Sequence, residues 1–121
     1  MNEEKPFDLG ERTVLYALEV AGLINQLPDS PANSAYSKRA LGSAGSLGAN
    51  YNDANENKND KDSLYKFKAC RKEALESNYY LRLLQKLNPE FLGEFEELIS
   101  ESTDLKKIFG SIAKKKQTSR R

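Results

Sequence analysis

Apolar residues recur at helical spacing through nearly the whole chain, and this feature limits the possible folds more than any other. No segment of four or more residues shows the two-residue alternation typical of a half-buried strand. Turn-forming and helix-breaking residues interrupt the helical pattern near residues 27–31, 57–62 and 88–89. They leave four predicted helices of similar length, at about residues 7–27, 32–57, 62–87 and 89–113. Similar lengths and short connections favour an all-α, antiparallel up-down-up-down four-helix bundle.

The length and the residue types narrow the function further. With 121 residues the chain is long enough for one compact domain, expected over residues 1–113 and followed by a basic flexible tail at 114–121. Histidine is absent and Cys70 is the single cysteine, which excludes Ser-His-Asp and Cys-His catalysis, histidine-ligated metals and intramolecular disulfides. We therefore expect no enzymatic activity, no cofactor, no metal and no small-molecule substrate.

The ends of the chain and its hydropathy predict where the protein acts. No apolar run approaches the roughly 20 residues that span a bilayer. The first residues lack the basic start and apolar core of a secretory signal. These features predict a cytoplasmic protein that makes no contact with a membrane.

Charge is distributed unevenly along the chain. Residues 1–60 carry 5 Lys/Arg against 9 Asp/Glu, a net charge of -4, whereas residues 61–121 carry 14 against 9, a net charge of +5. A cluster near the end includes candidate phosphate contacts at Lys106, Lys107, Lys114, Lys115 and Lys116. The alternative is that the last-turn lysines complement a helix dipole and the remainder is a solubilising tail.

The first predicted helix is apolar around much of its circumference. One stripe, expected to face the core, contains Val14, Ala17, Ala21 and Ile24. A second stripe, for which we predict an oligomer interface, contains Tyr16, Val20, Leu23 and Leu27. Because a helix wetted on one face does not need so much apolar surface, a second subunit is the preferred explanation. The alternative is a thick core within one chain.

The second predicted helix contains three glycines at positions 42, 45 and 48. Each glycine costs a helix about 1 kcal/mol relative to alanine, so we expect the close approach of a neighbouring backbone to offset this cost. A phosphate-binding loop is the rival interpretation, but neither the Gly-Lys-Ser/Thr sequence nor a preceding strand is present. Core spacing on this helix selects Ala40, Ala44, Leu47, Tyr51 and Ala54.

The third and fourth predicted helices have regular core lines. The spacing selects Phe67, Cys70, Ala74, Ser77, Leu81 and Leu84 on the third helix, and Phe91, Phe95, Leu98, Ser102, Leu105, Phe109 and Ile112 on the fourth. Glu73 and Glu76 lie beside the first of these lines, where we expect a structural polar layer in which they accept hydrogen bonds from Arg39, Asn50 or Asn52. A carboxylate pair for metals or for catalysis is the alternative, but a di-metal bundle normally adds histidines.

A basic and aromatic line on the third helix offers a candidate nucleic-acid surface. Its members follow three-four spacing: Lys68, Lys72, Leu75, Tyr79, Arg82 and Lys86. The candidate nucleic-acid contacts among them are the four cations and Tyr79. Such side chains can lie along a phosphate backbone and stack on a base. The same line could form the rim of a subunit interface or a solvated charged face.

Several segments together resemble a known family. They are Phe7-Asp8-Leu9, the stretch Ser46-Leu47-Gly48-Ala49-Asn50-Tyr51-Asn52-Asp53-Ala54, the stretch 67–77 with its Glu73-x-x-Glu76 pair, and Leu87-Asn88-Pro89. These segments resemble the bacterial four helix bundle protein family, whose founding members are encoded in intervening sequences of 23S ribosomal RNA genes. The resemblance covers residues 7–113.

The resemblance implies an antiparallel bundle that assembles as a ring-like homopentamer without an established enzymatic activity. The related accessory variability protein of diversity-generating retroelements is a basic pentamer that binds a reverse transcriptase and RNA, whereas the charge of this chain is nearly balanced. We therefore expect an oligomeric binding or scaffold module whose first partner is a second copy of itself. RNA or an RNA-binding protein is a candidate partner, and a protein-interaction module that binds no nucleic acid is the alternative.

Overall fold

A computed structural model describes residues 8–57 and 59–119 as four long α-helices packed together. The helices are α1 (Leu9–Ile24), α2 (Pro31–Glu56), α3 (Asp60–Leu87) and α4 (Leu92–Ser119), with a short 3-10 turn at Pro89–Phe91 before α4. The described residues contain no strand. The predicted all-α class with four helices is thus confirmed.

Short polar side chains start the first three helices. The Oδ1 atom of Asp8 accepts a hydrogen bond of 2.8 Å from the backbone of Gly10 at the start of α1. The Oγ atom of Ser30 accepts from the backbone of Asn33, and proline occupies the first position of α2. Asn59 caps α3 in the same way. Each cap satisfies backbone N–H groups that have no partner inside the helix, which fixes where the helix begins.

Consecutive helices lie side by side, and α1 also reaches α4. The beginning of α2 meets the end of α3 through Asn33 and Asn88. The end of α2 meets the beginning of α3, where the Oγ atom of Ser63 donates to the carbonyl of Ala54 at 3.1 Å. Asn78 at the middle of α3 donates to the carbonyl of Ile99 on α4. These contacts place one core between all four helices.

The core confirms the spacing on α3 and α4. All six residues of the α3 core line are buried, and so are five of the seven on α4, with Phe91 and Ile112 half-buried. Four of the five residues expected on α2 are also buried, and Tyr51 is half-buried. Its ring packs against the rings of Phe67 and Phe109, with centroids 6.2 and 5.7 Å apart. Aromatic packing therefore joins α2, α3 and α4 at this end of the bundle.

The roles predicted for the two stripes of α1 are wrong in part. Tyr16, Val20 and Leu23 are buried within the chain's own core and Leu27 packs against it, so they are not an oligomer interface. Ala17 and Ile24 pack against the core as predicted. Val14, expected in the core, is 49% exposed. The prediction was wrong because both stripes are apolar, and the choice of inner stripe depends on the partners of α1. Tyr16 also has a polar partner in the core, which the sequence spacing does not reveal.

Only one of the three glycines of α2 faces a close neighbour. A Cβ atom at Gly48 would lie 3.0 Å from the Oγ1 atom of Thr13 on α1, whereas one at Gly42 or Gly45 would meet nothing within 4 Å. The expected approach of a neighbouring backbone is therefore wrong for Gly42 and Gly45. At Gly48 the close neighbour is a side chain.

The fourth helix is longer than the sequence predicted. α4 continues through residues 114–119, which were expected to begin a flexible tail, and residues 120–121 lie outside the described part of the chain. The physical reason is composition: alanine, lysine and glutamine favour helix, and neither proline nor glycine follows Gly110. Ala113 is buried, and the basic last turn complements the helix dipole.

Candidate functional site

An open groove of about 310 Å³ lies between α1 and α2. Its floor on α2 is built from small residues, and its wall on α1 carries the exposed side chains of Val14 and Leu18. The full lining, which we call the α1/α2 groove, comprises Thr13, Val14, Ala17, Leu18, Ala44, Gly45, Gly48, Ala49 and Asn52. The small residues keep the floor low, so the groove can receive large side chains from outside.

The predicted basic and aromatic line forms one exposed face of α3. Tyr65 and Leu75 belong to the same line, at 70% and 40% exposure. We call this line the α3 outer face; its members are Tyr65, Lys68, Lys72, Leu75, Tyr79, Arg82 and Lys86, all of them exposed. The ring of Tyr79 lies edge-on to that of Tyr80, with centroids 5.3 Å apart. The structure thus brings the five predicted residues together on one surface.

The predicted lysines of α4 do not form a single surface. Lys107, Lys114 and Lys115 are exposed, whereas Lys106 is half-buried. The Nζ atom of Lys116 lies 5.6 Å from the ring centre of Phe67, where it makes a cation–π contact with α3. This contact gives Lys116 a packing role in addition to its charge.

In the expected polar layer around Glu73 and Glu76, the hydrogen-bond donor is not one of the predicted residues. The Oγ atom of Ser43 donates to the Oε2 atom of Glu76 at 3.3 Å. Burial raises the pKa of Glu73, and the nearby charge of Glu76 raises the pKa further. None of the predicted donors is seen bonded to either glutamate, because Arg39 and Asn52 are exposed and Asn50 donates to the carbonyl of Ser46 in its own helix.

A buried polar layer lies instead at the middle of the bundle. The hydroxyl oxygens of Tyr16 and Ser77 are 2.7 Å apart, and both residues are fully buried. The Nδ2 atom of Asn78 donates to the Oγ atom of Ser102 at 2.9 Å and to the Oγ1 atom of Thr103 at 3.2 Å. Ser77 and Ser102 on otherwise apolar core lines were the sequence signal for this layer.

Two further polar pairs join residues that are far apart in the sequence. The Nε and Nη2 atoms of Arg12 bind the two carboxylate oxygens of Glu101 at 2.7 and 2.8 Å, which ties α1 to α4. Asn33 and Asn88 exchange hydrogen bonds of 3.1 and 2.8 Å at the other end of the bundle. The sequence analysis missed both pairs, since nothing local marks partners 89 and 55 residues apart.

The thiol of Cys70 is a core group. The side chain is fully buried, its Sγ atom lies 3.6 Å from the carbonyl oxygen of Leu47, and burial raises its pKa to about 12. Over residues 8–57 and 59–119, no three of the Asp, Glu and Cys side chains are grouped so as to hold a metal ion. In the same ranges no helix is both long and apolar enough to cross a membrane.

The fold of this chain is similar to that of a solved structure. The crystal structure of a protein with unknown function from the S23 ribosomal protein family of Bacteroides thetaiotaomicron matches it with a TM-score of 0.76 and 26% sequence identity. The match covers 88% of this chain and 98% of that chain. The predicted family resemblance is confirmed. No protein-family model and no curated protein matches the chain.

Proposed function

We propose that this chain is a non-catalytic, homo-oligomeric scaffold of the cytoplasm. The observation that carries the proposal is the α1/α2 groove, an apolar surface with Val14 and Leu18 exposed at its wall. Exposed apolar surface of this kind usually marks a contact with another protein. The resemblance to the S23 family adds a ring-like homopentamer as the form of assembly, and a second copy of the chain is then the partner.

The proposed subunit is an antiparallel up-down-up-down bundle. Support comes from the pairs that join consecutive helices, in which low-numbered residues of one helix meet high-numbered residues of the next. Asn33 pairs with Asn88 and Ser43 with Glu76 between α2 and α3. Between α3 and α4, Gln85 reaches the carbonyl of Leu92 and Asn78 that of Ile99, so lower-numbered residues of α3 meet higher-numbered residues of α4. Short connections favour the same arrangement.

Sedimentation tests the assembly. We expect the wild-type chain at micromolar concentration to have a mass several times 13.6 kDa. The variant Leu18→Glu should reduce that mass, because a carboxylate would have to be buried without a partner in the contact. Leu92→Glu is the matched control, since Leu92 is similarly exposed but lies outside the groove. A wild-type monomer would refute the proposal.

RNA is a second candidate partner, favoured by the α3 outer face. Its four cations flank Tyr79, which is 53% exposed, in the combination that binds phosphates and stacks on bases. Phosphate contacts make affinity fall steeply with salt. Binding of single-stranded RNA should therefore be measured at two salt concentrations. Absence of binding at low salt, or binding unaffected by salt, would exclude phosphate contacts.

Charge-neutralising variants locate the RNA surface. Replacing Lys68, Lys72 and Lys86 by glutamine should weaken RNA binding and lower its salt dependence. Each lost phosphate contact reduces the slope of the logarithm of the affinity against the logarithm of the salt concentration. The same replacement at Lys107, Lys114 and Lys115 tests the α4 lysines separately. If neither triple variant changes the affinity, the chain is better described by the alternative, a protein-interaction module without nucleic acid. Partners that survive nuclease treatment in a pull-down would support that alternative.

A further inference from the structure

Two surfaces of the chain leave apolar area exposed. The α1/α2 groove is an open concavity floored by alanine and glycine. The α3 outer face presents large side chains at its middle, where Leu75 and Tyr79 are 40% and 53% exposed. Both surfaces leave apolar area in water, and neither is covered within the described chain. The groove has room for large side chains, and the α3 outer face supplies them.

Charge is complementary at one end of the groove. Glu11 stands one turn before Val14 on α1, and Glu56 stands one turn after Asn52 on α2; both are exposed. The cations of the α3 outer face lie on both sides of Leu75 and Tyr79, and no acidic residue interrupts the line. On α2 the exposed Lys38 precedes the groove residue Ala44, on the side of the groove away from Glu11 and Glu56. Opposite charges around an apolar centre favour one orientation of docking.

We infer that Leu75 and Tyr79 of one copy insert into the α1/α2 groove of the next copy. The inference rests on the proposed self-assembly and specifies which surfaces meet. Because the two surfaces are different and both belong to every subunit, the contact is heterologous. Each subunit offers a free groove on one side and a free α3 outer face on the other. Such contacts propagate head to tail and close into a ring when the rotation between copies permits.

Engineered cysteines test which surfaces meet. Cys70 is buried and its pKa is about 12, so the wild-type chain should give no background cross-link under native conditions. We expect Ala49→Cys, in the groove, to form a disulfide with Leu75→Cys, on the α3 outer face, when the two variants are mixed and oxidised mildly. Neither variant alone should cross-link. The double variant Ala49→Cys/Leu75→Cys should give a ladder of covalent multimers.

The control pairs Ala49→Cys with Ser111→Cys, because Ser111 is exposed on α4 outside both surfaces. This mixture should give no product. Cross-linking of Ala49→Cys with itself would show that the groove meets a second groove, which overturns the heterologous contact. Equal cross-linking of Ala49→Cys to Leu75→Cys and to Ser111→Cys would show random collision and would also overturn it.

Sedimentation of a Tyr79→Glu variant provides a second test. We expect its dissociation constant for assembly to rise about tenfold or more, because insertion would desolvate a carboxylate. Leu92→Glu is again the control. If the wild type sediments as a monomer, the proposed scaffold function itself is wrong. If the wild type is an oligomer and Tyr79→Glu assembles equally well, only the pairing of these two surfaces is wrong. Loss of RNA binding in Tyr79→Glu with unchanged assembly would assign the face to RNA and overturn the inference.

Discussion

The hydroxyl of Tyr16 shows how a single polar atom is held in the core. The Oγ atom of Ser77 donates its own hydrogen to the carbonyl of Ala74 at 3.1 Å. With the Ser77 hydrogen directed to Ala74, Tyr16 is the donor in the 2.7 Å bond between the two hydroxyls, and Ser102 is a second hydrogen-bond partner of the phenol. Burial raises the pKa of Tyr16 to about 12, so the phenol keeps its hydrogen at neutral pH. This bond links α1 to α3 at the centre of the bundle.

Removing that hydroxyl should cost stability. We expect Tyr16→Phe to lower the free energy of unfolding by about 1 kcal/mol, the typical net value of one hydrogen bond. Ser77→Ala should cost a comparable amount, because it removes the same bond while the hydroxyl of Ser102 remains beside the phenol as a second partner. Urea unfolding of both single variants and of the double variant gives the coupling energy. Losses in the two single variants that add up exactly in the double variant would contradict the bond. Ser111→Ala, at an exposed position of α4, is the control and should change the stability little.

The carboxyl group of Glu73 predicts a pH dependence. Burial and the charge of Glu76 raise its pKa in the folded state above the ordinary value of 4.5. For an acid with a raised pKa, the contribution to stability is present below the unfolded pKa and is lost as the pH rises through the folded pKa. The ionised form therefore opposes folding at neutral pH.

Replacing the carboxyl group of Glu73 by an amide should remove this destabilisation at neutral pH. We expect Glu73→Gln to have a higher melting temperature than the wild type at pH 7, with the difference shrinking as the pH falls through the raised pKa and vanishing below about 4.5. Glu97→Gln, on the exposed side of α4, is the matched control. Melting curves by circular dichroism between pH 4 and pH 8 measure the difference. A wild type that is more stable than Glu73→Gln at pH 7 would contradict the raised pKa.

At the scale of the helix, sequence spacing succeeds where one face is polar. The inner faces of α3 and α4 follow directly from alternating steps of three and four residues, since charged residues cover their outer sides. On α1 the spacing fails because apolar residues surround the helix. The α3 outer face was also predictable from spacing. The α1/α2 groove was not, because its floor depends on the angle at which α1 crosses α2 rather than on any local pattern.

The glycines of α2 allow a direct test of helix packing. We expect Gly42→Ala to raise the free energy of unfolding by up to about 1 kcal/mol, because alanine favours helix and its Cβ atom would meet no neighbour. Gly48→Ala should gain less or lose stability, since its Cβ atom would lie 3.0 Å from the Oγ1 atom of Thr13. Urea unfolding in the Leu18→Glu background separates these effects from assembly. Equal gains at both sites would contradict the close contact at Gly48.

At the scale of the whole molecule, α1 is the least enclosed of the four helices. It has 16 residues, of which Thr13, Tyr16, Val20 and Leu23 are buried, and its opposite wall faces the open groove. Contact with α4 depends on Arg12, whose guanidinium binds Glu101. The hydrogen bond to Glu101 raises the pKa of Arg12, so the guanidinium stays charged at all ordinary pH values. The helix that borders the open groove with Val14 and Leu18 is thus also the one with the fewest internal supports.

Hydrogen exchange tests whether the weak internal support of α1 is linked to assembly. In the Leu18→Glu variant we expect the amides of α1 to exchange faster than those of α3, because a helix with few buried contacts opens before the rest. In the wild type the protection of α1 should increase with protein concentration, since a second copy in the groove stabilises only the closed form. Mass spectrometry of peptides from α1 and α3 at two concentrations measures both effects. Protection of α1 that equals that of α3 in the variant, or that does not change with concentration in the wild type, would contradict the link between the groove and self-assembly.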